Sequence, residues 1–143
     1  MKLRVLYHGK DGNAYAMADK FSREFRCTCD KIPPAYPCDG EILLLLGAET
    51  SKKNAPRELV EFCKTLDAKR TKNVAFFTVG TTSAENVAEM KAVLEKNGVH
   101  VCEDVFNVPA KGGLFKKAFI TEGDLENSMT WANKIVDSLF DRR

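Results

Sequence analysis

The sequence predicts an α/β fold, a three-layer sandwich with helices on both faces of a five-stranded parallel sheet of order 2-1-3-4-5. Three observations carry that expectation. Strand and helix signals alternate along the chain, the pattern of repeated βαβ units. Two of the strands are continuous apolar runs, which marks burial on both faces. No repeat, low-complexity stretch or linker interrupts the 143 residues, so residues 1–143 read as one domain of ordinary size.

The first strand is Leu3 to Tyr7. The first helix runs from about Asn13 to Phe25, because Ala14, Met17, Ala18, Phe21 and Phe25 recur at intervals of three and four and form one apolar stripe. A second strand at about Cys27 to Ile32 leads into a proline-rich turn, Pro33-Pro34-Ala35-Tyr36-Pro37. The third strand is Ile42 to Leu46. The second helix starts near Pro56, a favoured first-turn residue, and points Leu59, Phe62, Cys63 and Leu66 inward. The fourth strand is Val74 to Val79, and the third helix spans about Ala84 to Asn97, with Ser83 as its cap and Gly98 as its stop. Its stripe is Val87, Met90, Val93 and Leu94. The fifth strand is about Val99 to Val105. The last helix begins after Asp124 and buries Leu125, Met129, Ala132, Ile135, Val136 and Leu139.

Strand order follows from which strands are apolar throughout. Ile42-Leu43-Leu44-Leu45-Leu46 and Val74-Ala75-Phe76-Phe77 are central, whereas Cys27-Thr28-Cys29-Asp30-Lys31 and the mixed fifth strand belong at edges. The alternative order 3-2-1-4-5 places the leucine run at or near an edge and is disfavoured. In the preferred order, ligands bind beyond the carboxyl ends of the strands, where the connections reverse between the first and third.

Composition narrows the function classes. A net charge of +2 is too small to indicate nucleic acid by itself. No apolar run approaches the ~18 residues of a membrane span, and Met1-Lys2-Leu3-Arg4 lacks the features of a signal peptide. Five cysteines cannot all pair and suit a reducing compartment. The expected location is therefore cytoplasmic, away from membranes.

The first strand-to-helix loop is His8-Gly9-Lys10-Asp11-Gly12-Asn13-Ala14. Its two glycines allow close backbone approach. The free amides and dipole of the helix start favour an anion. Such a loop either cradles a phosphate or serves as a plain turn. The segments Ala48-Glu49-Thr50-Ser51 and Val79-Gly80-Thr81-Thr82 close the same cleft from the third and fourth strands.

The stretch Val5 to Ala14 resembles the phosphate loop of the flavodoxins, in which Ser and Thr residues surround a Gly-Asn pair after the first strand. Gly12 and Asn13 match that pair, while the hydroxyl positions fall on Gly9, Asp11 and Ala14. The resemblance extends in element order over nearly the whole chain, including Phe77-Thr78-Val79-Gly80-Thr81 and the last helix. It implies a flavodoxin-like fold, flavin mononucleotide (FMN) as cofactor, and a role as an electron carrier or small flavin-dependent reductase subunit with a redox partner protein. The residues it implies at the cofactor are His8, Gly9, Lys10, Asp11, Gly12, Asn13, Ala14, Ala48, Glu49, Thr50, Val79, Gly80, Thr81 and Thr82. A degenerate flavodoxin-like domain that binds no flavin and acts as a binding or scaffold module is the alternative.

Three hydroxyl donors are missing from the loop, and Asp11 is an anion beside the expected phosphate. Two like charges about 4 Å apart repel by roughly 4 kcal/mol at an effective dielectric of 20, more than the 0.3–2 kcal/mol of a helix start. Lys10 facing the phosphate, or Asp11 turning away to cap the helix, relieves the conflict. Glu49 is expected near the flavin ring, where its charge lowers the potential. No aromatic residue lies in the loops after the third and fourth strands. The stretch Pro109 to Gly123 reads either as a lid carrying Phe115 and Phe119 or as a short surface helix, and its Lys111, Lys116 and Lys117 suit an acidic partner.

His8 reads as a loop residue or, paired with Glu49, as a general acid or base. Cys27 and Cys29 share one face of their strand and read as packing residues, as do Cys63 and Cys102; Cys38 reads as an exposed, oxidisable turn residue. Trp131 and Phe140 read as packing. A phosphoacceptor receiver domain has the same strand order but needs Asp at the end of the third strand, where this chain has Gly47.

Overall fold

The computed structural model describes residues 1–10, 12–50, 55–80, 84–109 and 120–140. The elements, in chain order, are β1 (Leu3–His8), α1 (Asn13–Phe25), β2 (Cys29–Lys31), β3 (Glu41–Thr50), α2 (Arg57–Lys64), β4 (Thr71–Gly80), α3 (Ala84–Lys96), β5 (His100–Val101), β6 (Phe106–Pro109) and α4 (Glu122–Leu139). Every strand pairing is parallel, in the order β2-β1-β3-β4, with β5 and β6 both on the outer edge of β4. The architecture is the flavodoxin-like sandwich expected from the alternation of apolar runs.

Successive side chains of a strand face opposite ways, so the leucine run of β3 serves two cores. Leu44 and Leu46 pack with Leu59, Cys63, Met90 and Leu94 on the α2 and α3 side. Leu43 and Leu45 pack with Met17, Phe21, Trp131 and Val136 on the α1 and α4 side. All four leucines are fully buried, which is why β3 must be central.

The fifth strand is not continuous over Val99 to Val105 as its sequence suggests. β5 pairs through Asn73 and Val74 of β4, the Cys102 amide still donates to the Val74 carbonyl, residues 103–105 leave the ladder, and β6 rejoins it from Phe77 to Gly80. Glu103 and Asp104 are exposed in that break. The excursion is tied down by Trp131, whose indole Nε1 donates to the Asp104 carbonyl at 2.9 Å. A buried Trp needs such an acceptor, and an edge strand tolerates the interruption because only one neighbour loses bonds.

Further boundaries differ from expectation. β2 is only three residues long. The last helix begins at Glu122 rather than after Asp124, because Thr121 caps it: the Thr121 hydroxyl accepts from the Asp124 amide, and the Asp124 carboxylate accepts from the Thr121 amide. β3 and β4 run on through Thr50 and Gly80, so Ala48, Glu49, Thr50, Val79 and Gly80 lie in strands, not loops. Among the described residues, no helix is long and apolar enough to cross a membrane.

Candidate anion site at the carboxyl ends of the strands

The register brings the carboxyl ends of four strands side by side. His8 is opposite Ala48, Glu49 is opposite Val79, and Gly80 lies between Thr50 and Pro109. The chain leaves β1 through Gly9, with φ of 152°, and enters α1 through Gly12, with φ of 82°. Gly12 is the cap residue of α1 and has no side chain to satisfy the first amides. The first turn of α1 carries no acidic residue either. An anion from outside the helix is therefore favourable at this amino end.

Glu49 supplies it. The Ala14 amide donates to Oε1 of Glu49 at 2.7 Å, a contact that spans the switch point from β3 to α1. The Glu49 side chain reaches the helix by crossing Gly9: a Cβ added at Gly9 would lie 2.8 Å from each of its Cβ, Cγ and Cδ atoms. Gly9 is thus needed both for its backbone angle and for its missing side chain. Glu49, expected beside a flavin ring, places its carboxylate at the start of α1. The start of α1 already holds a carboxylate oxygen. Two anions cannot share it: their repulsion of about 4 kcal/mol exceeds the 1.5–3 kcal/mol of a hydrogen bond to a charged group.

The other expected residues, apart from Thr50 and Gly80 at the ends of β3 and β4, divide into three groups. His8, Gly9, Lys10, Gly12, Asn13 and Ala14 line the junction; Lys10 is exposed and Ala14 is buried. The Asn13 side-chain oxygen accepts from the Ile120 amide at 3.3 Å, which ties the end of the β6–α4 connection to the start of α1. Ala48 and Val79 are buried and packed into opposite cores, so only their backbones border the site. Asp11, Thr81, Thr82 and residues 110–119, with Lys111, Phe115, Lys116, Lys117 and Phe119, lie outside the described residues, as does Ser83.

The expected pairing of His8 with Glu49 is not formed. His8 Nε2 lies 3.3 Å from Oε2 of Glu58 on α2, while His8 Nδ1 is buried without a partner among the described residues. Glu58 faces the site because it lies in the first turn of α2. Its distance of fifty residues from His8 leaves no local signal in the sequence.

Cys38 corrects another expectation. It is 1% exposed, because the proline-rich connection after β2 folds back on α2 instead of projecting into solvent. Cys38 lines a cavity of about 320 Å³ with Pro33, Pro34, Pro37, Phe62 and Leu66. None of the residues at the anion cradle borders it.

All five thiols are free. Burial pushes Cys27 and Cys29 up to about 11 and Cys63 up to about 12. In the unfolded chain these thiols ionise near 9, so above that pH the unfolded state releases protons that the folded state keeps. Their contribution to stability is whole below about pH 9 and is lost as pH rises towards 11 and 12. A melting series is therefore expected to show Tm falling between about pH 9 and 11, less steeply in the Cys63→Ala variant. A Tm flat across that window, or an unchanged slope in the variant, contradicts the burial argument.

No family model and no curated protein matches this chain. Solved structures do. A flavodoxin from the domain Archaea matches with a TM-score of 0.76 at 19% identity, covering 97% of this chain and 99% of that one. Rubredoxin oxygen:oxidoreductase from Desulfovibrio gigas matches with a TM-score of 0.64 at 17% identity, over 96% of this chain but 35% of that one. The Trp repressor binding protein from Bacillus subtilis matches with a TM-score of 0.55 at 12% identity, over 99% of both. At these identities the likeness shows the fold.

Proposed function

We propose that this flavodoxin-like chain binds FMN at the β1–α1 junction and works as an electron carrier or as the flavin subunit of a small reductase. One observation carries the reading: the Ala14 amide, at the start of α1 and at the switch point of the sheet, holds an oxyanion at 2.7 Å. The amides at the start of α1 would receive the phosphate, with the ends of β3 and β4 bordering the rest of the cofactor. Bound flavin would supply the electron-transfer chemistry, and the protein's part is to place and polarise it. The Glu49 carboxylate must move off Ala14 for this to happen. The proposal extends to a redox partner that is acidic where it meets Lys111, Lys116 and Lys117, and to a cytoplasmic location, which five unpaired cysteines support.

The second reading is favoured by the same contact. If Glu49 keeps the amide permanently, the chain is a flavin-free relative of flavodoxin-like domains, retained as a binding or scaffold module.

Titration of the purified protein into FMN and, separately, into riboflavin distinguishes them. The expected result is quenching of FMN fluorescence and a shifted absorbance spectrum, with much weaker effects on riboflavin, which lacks the phosphate. Equal affinity for the two flavins removes the cradle from the proposal. No change in either flavin leaves the second reading.

A further inference from the structure

We infer that Glu49 is an intramolecular gate on the cradle, an internal anion that an incoming phosphate monoester must displace. The inference rests on the proposed FMN reading and adds what regulates occupancy of the site.

Three independent features of the chain converge on this side chain. Its carboxylate accepts from Ala14 at 2.7 Å. The helix it serves has no capping side chain of its own and no acid in its first turn. Gly9 leaves open the path that the Glu49 side chain takes. The backbone of Glu49 is held in β3 opposite Val79, so the side chain opens by releasing its contacts and rotating while the strand stays in place. The gate is therefore a rotameric one, closed by the same amide that phosphate would use. It sets how tightly a dianion binds, because each binding event must first break the contact between Glu49 and Ala14. Glu49 is a positioning and selectivity residue in this scheme and takes no part in electron transfer.

The full chain and two variants test this. Glu49→Ala removes the gate, and Glu49→Gln keeps its shape without the charge. FMN should bind at least about tenfold more tightly to Glu49→Ala than to the wild type, the equivalent of one charge-assisted hydrogen bond, with Glu49→Gln in between. Riboflavin affinity should stay the same in all three. Without flavin, the Ala14 amide should exchange its proton at least about tenfold faster in Glu49→Ala than in the wild type.

Equal FMN affinity in the wild type and both variants overturns the gate and leaves the FMN reading standing. No FMN binding in any of them, with Ala14 protected only when Glu49 is present, overturns the FMN reading; the contact is then a helix cap and no gate. An unprotected Ala14 in the wild type overturns the gate at its source. Should Glu49→Ala fold poorly, Glu49→Gln alone carries the affinity comparison.

Discussion

Replacing Gly47 by alanine is expected to destabilise the protein by about 3 kcal/mol, at the upper end of overpacking effects. A Cβ on Gly47 would overlap Cε2 and Cζ of Phe77 and come within 3.0 Å of its Cδ2. The ring has little room to retreat. Phe77 is fully buried, stands edge-on to Phe21 at 5.1 Å and borders Trp131 at 6.4 Å. Alanine would otherwise gain about 0.5–1 kcal/mol over glycine in a strand interior, so the sign of the result tells which effect wins. Urea unfolding measures it directly. Adding Phe77→Leu should return part of the loss, and the double-mutant cycle isolates the clash. Loss below about 0.5 kcal/mol in Gly47→Ala means that the ring is free to move, which contradicts this packing. The same glycine that argues against a phosphoacceptor in the sequence thus has a structural purpose: it makes space for an aromatic cluster.

Gly9→Ala is expected to be similarly costly, by about 2–4 kcal/mol, for two separate reasons. A φ of 152° is open to glycine and strained by roughly 1–3 kcal/mol for other residues. The new methyl would also collide with Glu49 at its Cβ, Cγ and Cδ, and the Cβ cannot swing away without moving β3. Expelling Glu49 adds the loss of a helix cap, about 0.5–2 kcal/mol. Gly12→Ala is the control. Its φ of 82° is also left-handed, but nothing lies within 4 Å of an added Cβ, so it should lose only about 1–2 kcal/mol and keep Ala14 capped. Chemical denaturation together with proton exchange at Ala14 separates the two variants. If both lose the same stability and both keep Ala14 protected, the close approach of Glu49 to Gly9 is not a feature of the folded protein.

What the sequence determined on its own was the architecture. The spacing of Met17, Phe21 and Phe25 makes a helix with one buried face. The run from Leu43 to Leu46 can be buried on both sides only in the middle of a sheet, and with the apolar fourth strand and the polar second and mixed fifth strands it gives the order of strands. These are local signals, because periodicity is set by the geometry of a single element and burial by its average polarity. The same logic points to the first strand-to-helix junction as the expected ligand site.

The tertiary structure alone decided what fills that junction. Glu49 and Ala14 are thirty-five residues apart, and no pattern in either segment announces that a strand carboxylate will cap a distant helix. The break in the outer strand depends on Trp131 reaching Asp104, and the burial of Cys38 depends on how a proline-rich connection folds over α2. Each is a contact between elements that meet only after the sheet has formed. Pairwise contacts of this kind are governed by side-chain reach and register across the fold, quantities that composition and periodicity do not contain.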